Sequence, residues 1–578
     1  MLDGLPMLDR GDTRESLNQF DVSQIERIEI VEGPMSTVYG TDALAGVINI
    51  ITKTASHNSF RANVKIQEET VGGEYKPFGN KGLHVQNINT AWDKNGWNGL
   101  LSLGHTNFKG FDADNYGRAH SWKPKEQWLP SLRLGYKNDR VNLYYRNDYL
   151  WERITANGPI NLDTYKTVDQ FYNTRRMMHQ LQGNWRFNEK ASFTNSLSYT
   201  HYKRFTRTIR KDLQNKTEEL TTDAGTQDTA QFSNFFWRSS LQYTISPKVS
   251  IQPGLELNHE TSTGRRIAGE PKINDFSFFA STEYKPASWL NVRPGLRFVK
   301  NSIYNAPPII PSLNTLFTIN NEWALRAAYA FGFRAPALRE LYFDFVDANH
   351  AIYGNPNLEA EKSRSFNASL VYSKLLHNNQ RFTAEAGGFH NYFNNLISIG
   401  VDPNNSGKNI YINIAENKTA GFSAKARLQT QNWQAGIGGV MLGRYNRFKG
   451  EDYNGKEIPQ FNWTPELNAE IMYTIEPTHT SLNFFYRFNG KRQIYQTVDG
   501  ENITLGNRDA FHYGDFSAGQ YINKFLTLTA GIRNVFNITD VASTQQSGGA
   551  HSTGGDYVYN YGRSYFLTLN FNYNHFKK

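Results

Sequence analysis

Among 578 residues there is no cysteine, which excludes disulfide scaffolds, cysteine-ligated zinc or iron–sulfur centres and every thiol mechanism. No apolar run approaches the roughly 18 residues of a helical membrane span, so a helical membrane protein is excluded as well. Charged residues are sparse at 20%, yet 38 Phe, 32 Tyr and 11 Trp make the chain far too rich in rings to be disordered. The start, Met1-Leu2-Asp3-Gly4-Leu5, has neither a basic stretch leading into an apolar core nor a small-residue cleavage site. The net charge of +9 comes from 62 Lys and Arg against 53 Asp and Glu. These bases are scattered along the chain, and no nucleic-acid motif accompanies them, so no nucleic-acid partner is expected.

What is present divides into two parts. Within residues 1–54, Ile25-Glu26-Arg27-Ile28-Glu29-Ile30-Val31 alternates apolar and charged side chains as a half-buried strand does. Gly46-Val47-Ile48-Asn49-Ile50-Ile51 is a nearly continuous apolar strand. Gly33-Pro34 and Tyr39-Gly40 punctuate the connection between them. These residues read as a fragment of a small mixed domain, short of partners for its strands.

Residues 55–578 repeat one pattern. Val141, Leu143, Tyr145 and Tyr149 fall on one face of a strand, with Arg140, Asn142, Arg146 and Asp148 on the other. The period of two returns at Leu482, Phe484, Tyr486 and Phe488, and again at Tyr565, Leu567, Leu569, Phe571 and Tyr573. Short turns such as Asp93-Lys94-Asn95-Gly96, Ser246-Pro247-Lys248 and Glu476-Pro477-Thr478 alternate with long connections near 109–127, 152–176, 208–227, 301–320, 334–362 and 538–558. Candidate strand starts from near 60 to near 562 number twenty-two, the last two, near 554 and 562, being close enough to mark a single strand. An even meander with asymmetric loops favours closure, because a sheet in lipid cannot leave an edge unpaired. The expected fold is therefore all-β, a 22-stranded antiparallel transmembrane barrel. A soluble propeller, solenoid or tandem sandwich is disfavoured by the lack of a fixed-length repeat.

Several passages resemble TonB-dependent outer-membrane receptors. The run from Gln24 to Pro34, then Tyr39-Gly40 and Gly46 to Lys53, is similar to the closing part of that family's plug domain. Relatives usually carry Arg where this chain has Glu32. Phe333-Arg334-Ala335-Pro336-Ala337-Leu338, Glu340-Leu341-Tyr342, Gly354-Asn355-Pro356-Asn357-Leu358 and Glu361-Lys362-Ser363 resemble a strand–loop–strand passage of iron-complex, haem and cobalamin receptors. Gly531-Ile532-Arg533-Asn534-Val535-Phe536-Asn537 resembles the penultimate barrel strand and its turn.

The resemblance implies a luminal plug fragment over residues 1–54, with Glu26 to Glu32 inside the barrel, and a barrel over 55–578 in a Gram-negative outer membrane. The plug's leading strands, the coupling segment and the signal peptide are expected to be missing. It also implies active import powered by a TonB energy-transducing complex, with outer-membrane lipid around the barrel, no catalysis and no intrinsic cofactor. The long loops offer area to a surface lipoprotein, although no motif requires one. Haem is the leading transported ligand, because relatives place an axial histidine in the interval that holds His350 here, and imidazole suits iron. Tyr342, Phe345 and Tyr353 would face the flat porphyrin. Arg334 and Arg339 would meet propionates, although Arg334 would equally serve to brace the wall. Cobalamin and a ferric siderophore are the alternatives, the latter drawing on Lys203, Arg204, Arg207, Arg210 and Lys211; these bases would equally suit anionic lipid headgroups. A passive porin or adhesin shares the barrel pattern.

Overall fold

The computed structural model describes the chain apart from residues 8–18, 34–35, 41–42, 45, 56–57, 113–117, 224, 347–350, 378–379, 403–404, 448–460, 499–501, 545–556 and 577–578. Twenty-two antiparallel strands, from Ser59–Glu69 to Ser564–Phe576, follow one another around a closed barrel. The ring shuts because its first and last strands pair, from Ser59 opposite Phe576 to Glu69 opposite Phe566.

Strict alternation gives the wall two different faces. Leu101 is 56% exposed while its neighbour Ser102 is 1% exposed. The same step separates exposed Met177 from buried Met178 and exposed Phe235 from buried Phe236. Apolar side chains such as Ile88, Leu181, Phe278, Phe298 and Leu567 stand on the outward face, where only lipid would cover them. Near the short turns the outward face carries pairs of rings on adjacent strands: Trp97 with Tyr136 at 5.0 Å, Trp323 with Tyr372 at 4.7 Å, Trp433 with Tyr473 at 4.2 Å. Trp185 with Phe193 and Trp289 with Phe317 continue this girdle, which marks one membrane boundary.

The strands differ in two places from the sequence reading. Ile310–Thr318 is a barrel strand where a loop was expected, and the starts near 554 and 562 resolve into one barrel strand, Ser564–Phe576. Pro307 and Pro308 hide the former, and Pro311, facing Leu296, stands next to the strand's first residue, where a missing donor is tolerated. Several strands also run into the expected loops. Ala191–Asp212 continues into a ribbon with Thr217–Leu220, where Lys211 pairs with Glu218 and Arg210 with Glu219 at 3.1 Å each. Beyond the lipid both faces are wet, so the period-two signal fades while the backbone ladder continues.

Inside the ring lies a hairpin of β1 (Ile25–Glu32) and β2 (Gly46–Thr52), with Ile28 opposite Ile50 and Glu32 opposite Gly46. A helical turn, Ser36–Tyr39, stands in the connection; Pro34, singled out there from sequence, lies outside the described residues. Leu2 bridges to Ile50, and Leu2, Leu5 and Ile50 form an apolar cluster with Met178 and Phe236 of the wall. Both wall residues belong to the buried, inward face, which puts the segment in the lumen.

Candidate functional site

The luminal segment meets one side of the wall along a polar seam. Asp21 accepts hydrogen bonds from Asn87 Nδ2 at 2.9 Å and Ser102 Oγ at 3.0 Å. Arg146, held by Asp148, donates to Gln24 Oε1 at 2.7 Å. Gln19 accepts from Arg176 at 3.2 Å and donates to Glu152 at 3.1 Å. Gln182 reaches the Asp3 carbonyl at 3.0 Å. Further round the wall, buried Glu256 is shared by Arg238 and Arg297 beneath Gly40. Gly40 has φ +107°, and a Cβ there would stand 3.4 Å from the Glu256 carboxylate, so a bare backbone suits this approach. On the far side, β1 faces a cavity of about 540 Å³ between Ile30, Val31 and wall residues including Arg326, Asn367 and Lys425.

The mouth opposite the short turns is narrowed by the passage after Trp323–Arg334. Arg334 ends that strand directly opposite Glu361 and binds it through Nε at 2.7 Å and Nη2 at 2.6 Å. The same guanidinium donates to both oxygens of Glu340, at 3.0 and 3.1 Å. Glu340 accepts in turn from the Ala337 amide at 2.7 Å, which fixes the start of the helical turn Leu338–Tyr342. Gly354 packs on that turn so closely that a Cβ would lie 2.5 Å from the Leu341 carbonyl carbon and the Phe343 nitrogen. Asn355 ties the loop down, its amide donating to Glu340 O and its side chain to Tyr411 O, both at 2.9 Å.

Tyr342 and Phe343 then pack against the cluster of Tyr202, Phe232 and Ile267, which spans from the barrel's inward face to an outer loop. The Tyr342 carbonyl accepts from the Ala268 amide at 2.8 Å. Tyr304 joins Tyr342, Phe343 and Ile352 around Leu341, Leu358 and Tyr411. Burial, and then the charges of Tyr342 and Glu340, push the Tyr304 phenol up to about 12.

Of the residues singled out from sequence, the fold brings Arg334, Arg339 and Tyr342 into this mouth. Arg339 lies 4.7 Å over the Phe343 ring. Phe345 and Tyr353 fall on a short ribbon, Asp344–Val346 with Ala351–Tyr353, whose second strand also pairs with Asn409 and Ile410. His350 lies outside the described residues. The five bases divide by their surroundings. Lys203 and Arg207 share the outward face with exposed Tyr199, whereas Arg204 leans over Tyr172 at 5.4 Å, and Arg210 and Lys211 are engaged with carboxylates. Sequence reasoning missed Asp21, Arg146, Arg176, Glu256 and Arg297. For the four wall residues the one signal is charge at mid-strand on the inward face, where solvated side chains look the same; Asp21 caps the turn Val22–Gln24 in the luminal segment.

A closed barrel with an apolar outward band, an aromatic girdle and a segment hydrogen-bonded into its lumen defines an outer-membrane barrel with an occluded bore. Residues 39–535 match the TonB dependent receptor-like β-barrel family and residues 1–47 match the TonB-dependent receptor plug domain, and the chain belongs to this receptor family of the Gram-negative outer membrane. It is similar to the iron-regulated outer membrane virulence protein of Vibrio cholerae, at 26% identity over 427 residues, 70% of this chain and 60% of that protein's length. It is also similar to the vitamin B12 transporter BtuB of Vibrio cholerae, at 24% identity over 93% of this chain and 80% of the transporter. The solved structure of the siderophore receptor PirA from Acinetobacter baumannii shares the fold, with a TM-score of 0.73 at 15% identity, covering 97% of this chain and 87% of that one.

Proposed function

We propose that this receptor imports haem, or another iron complex, with a TonB energy-transducing complex supplying the work and residues 1–54 acting as the plug of a barrel over 55–578. The observation that carries this reading is the seam in the lumen. Apart from one small apolar cluster, the inner segment is held to the wall among the described residues by hydrogen bonds, several of them with one charged partner. Each such bond contributes only about 1.5–3 kcal/mol net, because water replaces it, so a pull can release the segment bond by bond without unfolding the wall.

The ligand would sit at the mouth. His350 would bind iron, Tyr342, Phe345 and Tyr353 would flank a planar ring, and Arg339 would meet a carboxylate of the cargo. Arg334, already shared by two carboxylates, fits the role of brace better than that of ligand contact. An iron complex is supported by relatives described as iron-regulated and as a siderophore receptor. Cobalamin is the second reading, favoured by the long alignment with the vitamin B12 transporter.

Titration of the purified receptor with haem, followed by its visible absorption, tests the assignment. His350→Ala should weaken haem binding and leave barrel assembly intact, with cobalamin and ferric siderophores competing poorly. Equal haem spectra for parent and variant would remove haem, and displacement by cobalamin would move the reading to the vitamin.

A further inference from the structure

Outside the lumen, the strands Val141–Ala156, Lys166–Arg186 and Ala191–Asp212 carry four cations on one outward patch: Arg153, Arg175, Lys203 and Arg207. Arg175 and Lys203 are direct cross-strand partners, an arrangement that repels. Both lean on the same ring, Phe205, at 5.9 and 6.0 Å. Arg153 lies 5.8 Å over Phe171 and 5.5 Å over Trp151, and Arg207 stands opposite Phe171. Among the described residues none of the four has a carboxylate within ion-pair distance. Arg210 and Lys211, further along the same strand, are both neutralised. The patch therefore concentrates positive charge: Glu126, opposite Arg153 on the neighbouring strand, is itself engaged by His105 at 3.2 Å and Trp128 at 3.3 Å.

Its height identifies what would neutralise it. The Trp185–Phe193 pair belongs to the girdle at the short-turn boundary, and Arg175 and Lys203 lie ten residues further along the same two strands. At about 3.3 Å per residue and a tilt near 40°, that is a rise of roughly 25 Å, the height of the apolar band of an outer-membrane barrel. The patch thus stands at the opposite edge of that band. Directly beneath it the same face presents Met177, Leu181, Tyr199 and Phe235, all exposed. Phosphate above and acyl chains below is the shape of an outer-leaflet lipid.

We infer that Arg153, Arg175, Lys203 and Arg207 form a binding site for the phosphoryl group of a phosphorylated glycolipid in the outer leaflet. The aromatic rings between the cations hold the guanidinium and ammonium groups in place and contact the base of the headgroup. This surface lies outside the bore and is independent of the cargo.

The test compares the parent with a variant carrying Arg153→Gln, Arg175→Gln, Lys203→Gln and Arg207→Gln. Both are extracted from outer membranes in mild detergent and weighed by native mass spectrometry, folding being checked by heat-modifiable gel mobility. Bound glycolipid should fall by about fivefold or more in the variant. It should persist with Arg153→Lys, Arg175→Lys and Arg207→Lys, and with Lys190→Gln plus Lys248→Gln at the opposite rim. If the fourfold variant misfolds, Arg175→Gln alone carries the comparison. Titration of stripped receptor with purified glycolipid, its dephosphorylated form and inorganic phosphate should give binding of the first alone. Equal retention by parent and variant overturns the site, as do equal binding of the dephosphorylated lipid, binding of inorganic phosphate in the lipid's place, or an acidic protein occupying the patch instead.

Discussion

Arg334 and Glu361 face each other across two neighbouring barrel strands, and the guanidinium that joins them also holds both oxygens of Glu340. One cation thereby fastens the wall to the helical turn that closes down the mouth. Arg334→Met would leave Glu361, 2% exposed, as a buried charge without its counter-ion. Losing one member of such a pair costs about 3–5 kcal/mol. A drop of that size in unfolding free energy is expected from denaturant titration. Arg334→Lys should recover only part of it, since a single ammonium cannot reproduce the fork.

Gly354 makes a more local prediction. Because backbone atoms of Leu341 and Phe343 lie 2.5 Å from where a Cβ would stand, Gly354→Ala must push the loop off the helical turn. The expected cost is about 1–3 kcal/mol, confined to the mouth. Limited proteolysis should cut between residues 343 and 358 faster in the variant, with the barrel's own thermal transition unchanged. A lowered barrel transition with no faster cutting would count against this account.

On the other side of the barrel, Glu69 of the first strand takes Arg533 Nε at 3.1 Å and Ser564 Oγ at 2.8 Å from the last two strands. Arg533 belongs to a motif singled out from sequence, and this contact gives it a role at the seam. Arg533→Gln leaves the Glu69 carboxylate with neutral donors only, at a cost of about 1.5–3 kcal/mol. The temperature at which the compact band disappears from unheated gels should fall, and Glu69→Gln in the same chain should restore part of the loss.

Tyr304 supplies a pH signature. Its phenol ionises near 12 in the folded mouth against an ordinary value of 10, so the folded state holds the proton more tightly than the unfolded chain. The resulting stabilisation is complete below pH 10 and is lost as pH rises through 12. The thermal midpoint of the parent should therefore fall relative to that of Tyr304→Phe as pH rises from 10 to 12, the difference between the two being constant below pH 10. Parallel curves would show that the phenol is not held in this environment.

How much of this was legible in the sequence follows from which forces are local. Leu482 to Phe488 announced a strand because lipid and water act on alternate side chains of the same few residues. Ile310–Thr318 did not, since prolines around it masked a pairing with Leu290–Asn301 that only the register reveals. The passage around Arg334 was visible as a motif, but its sharing between Glu340 and Glu361 depends on two strands meeting in register. Arg146 and Arg176 were unreadable as contacts to the luminal segment, because an inward-facing arginine has the same local pattern whether it meets water, Gln24 or Gln19.

The pairing of Ser59–Glu69 with Ser564–Phe576 bears on how the molecule comes into being. The barrel strand made first pairs with the barrel strand made last, about 500 residues later. Bringing such distant ends together costs about 5–6 kcal/mol from the length-dependent part of loop-closure entropy alone. Until they meet, the growing sheet presents two raw edges able to recruit any extended chain. Assembly must therefore be a race between self-closure and adhesion to neighbours, with the outcome decided by the final thirteen-residue strand.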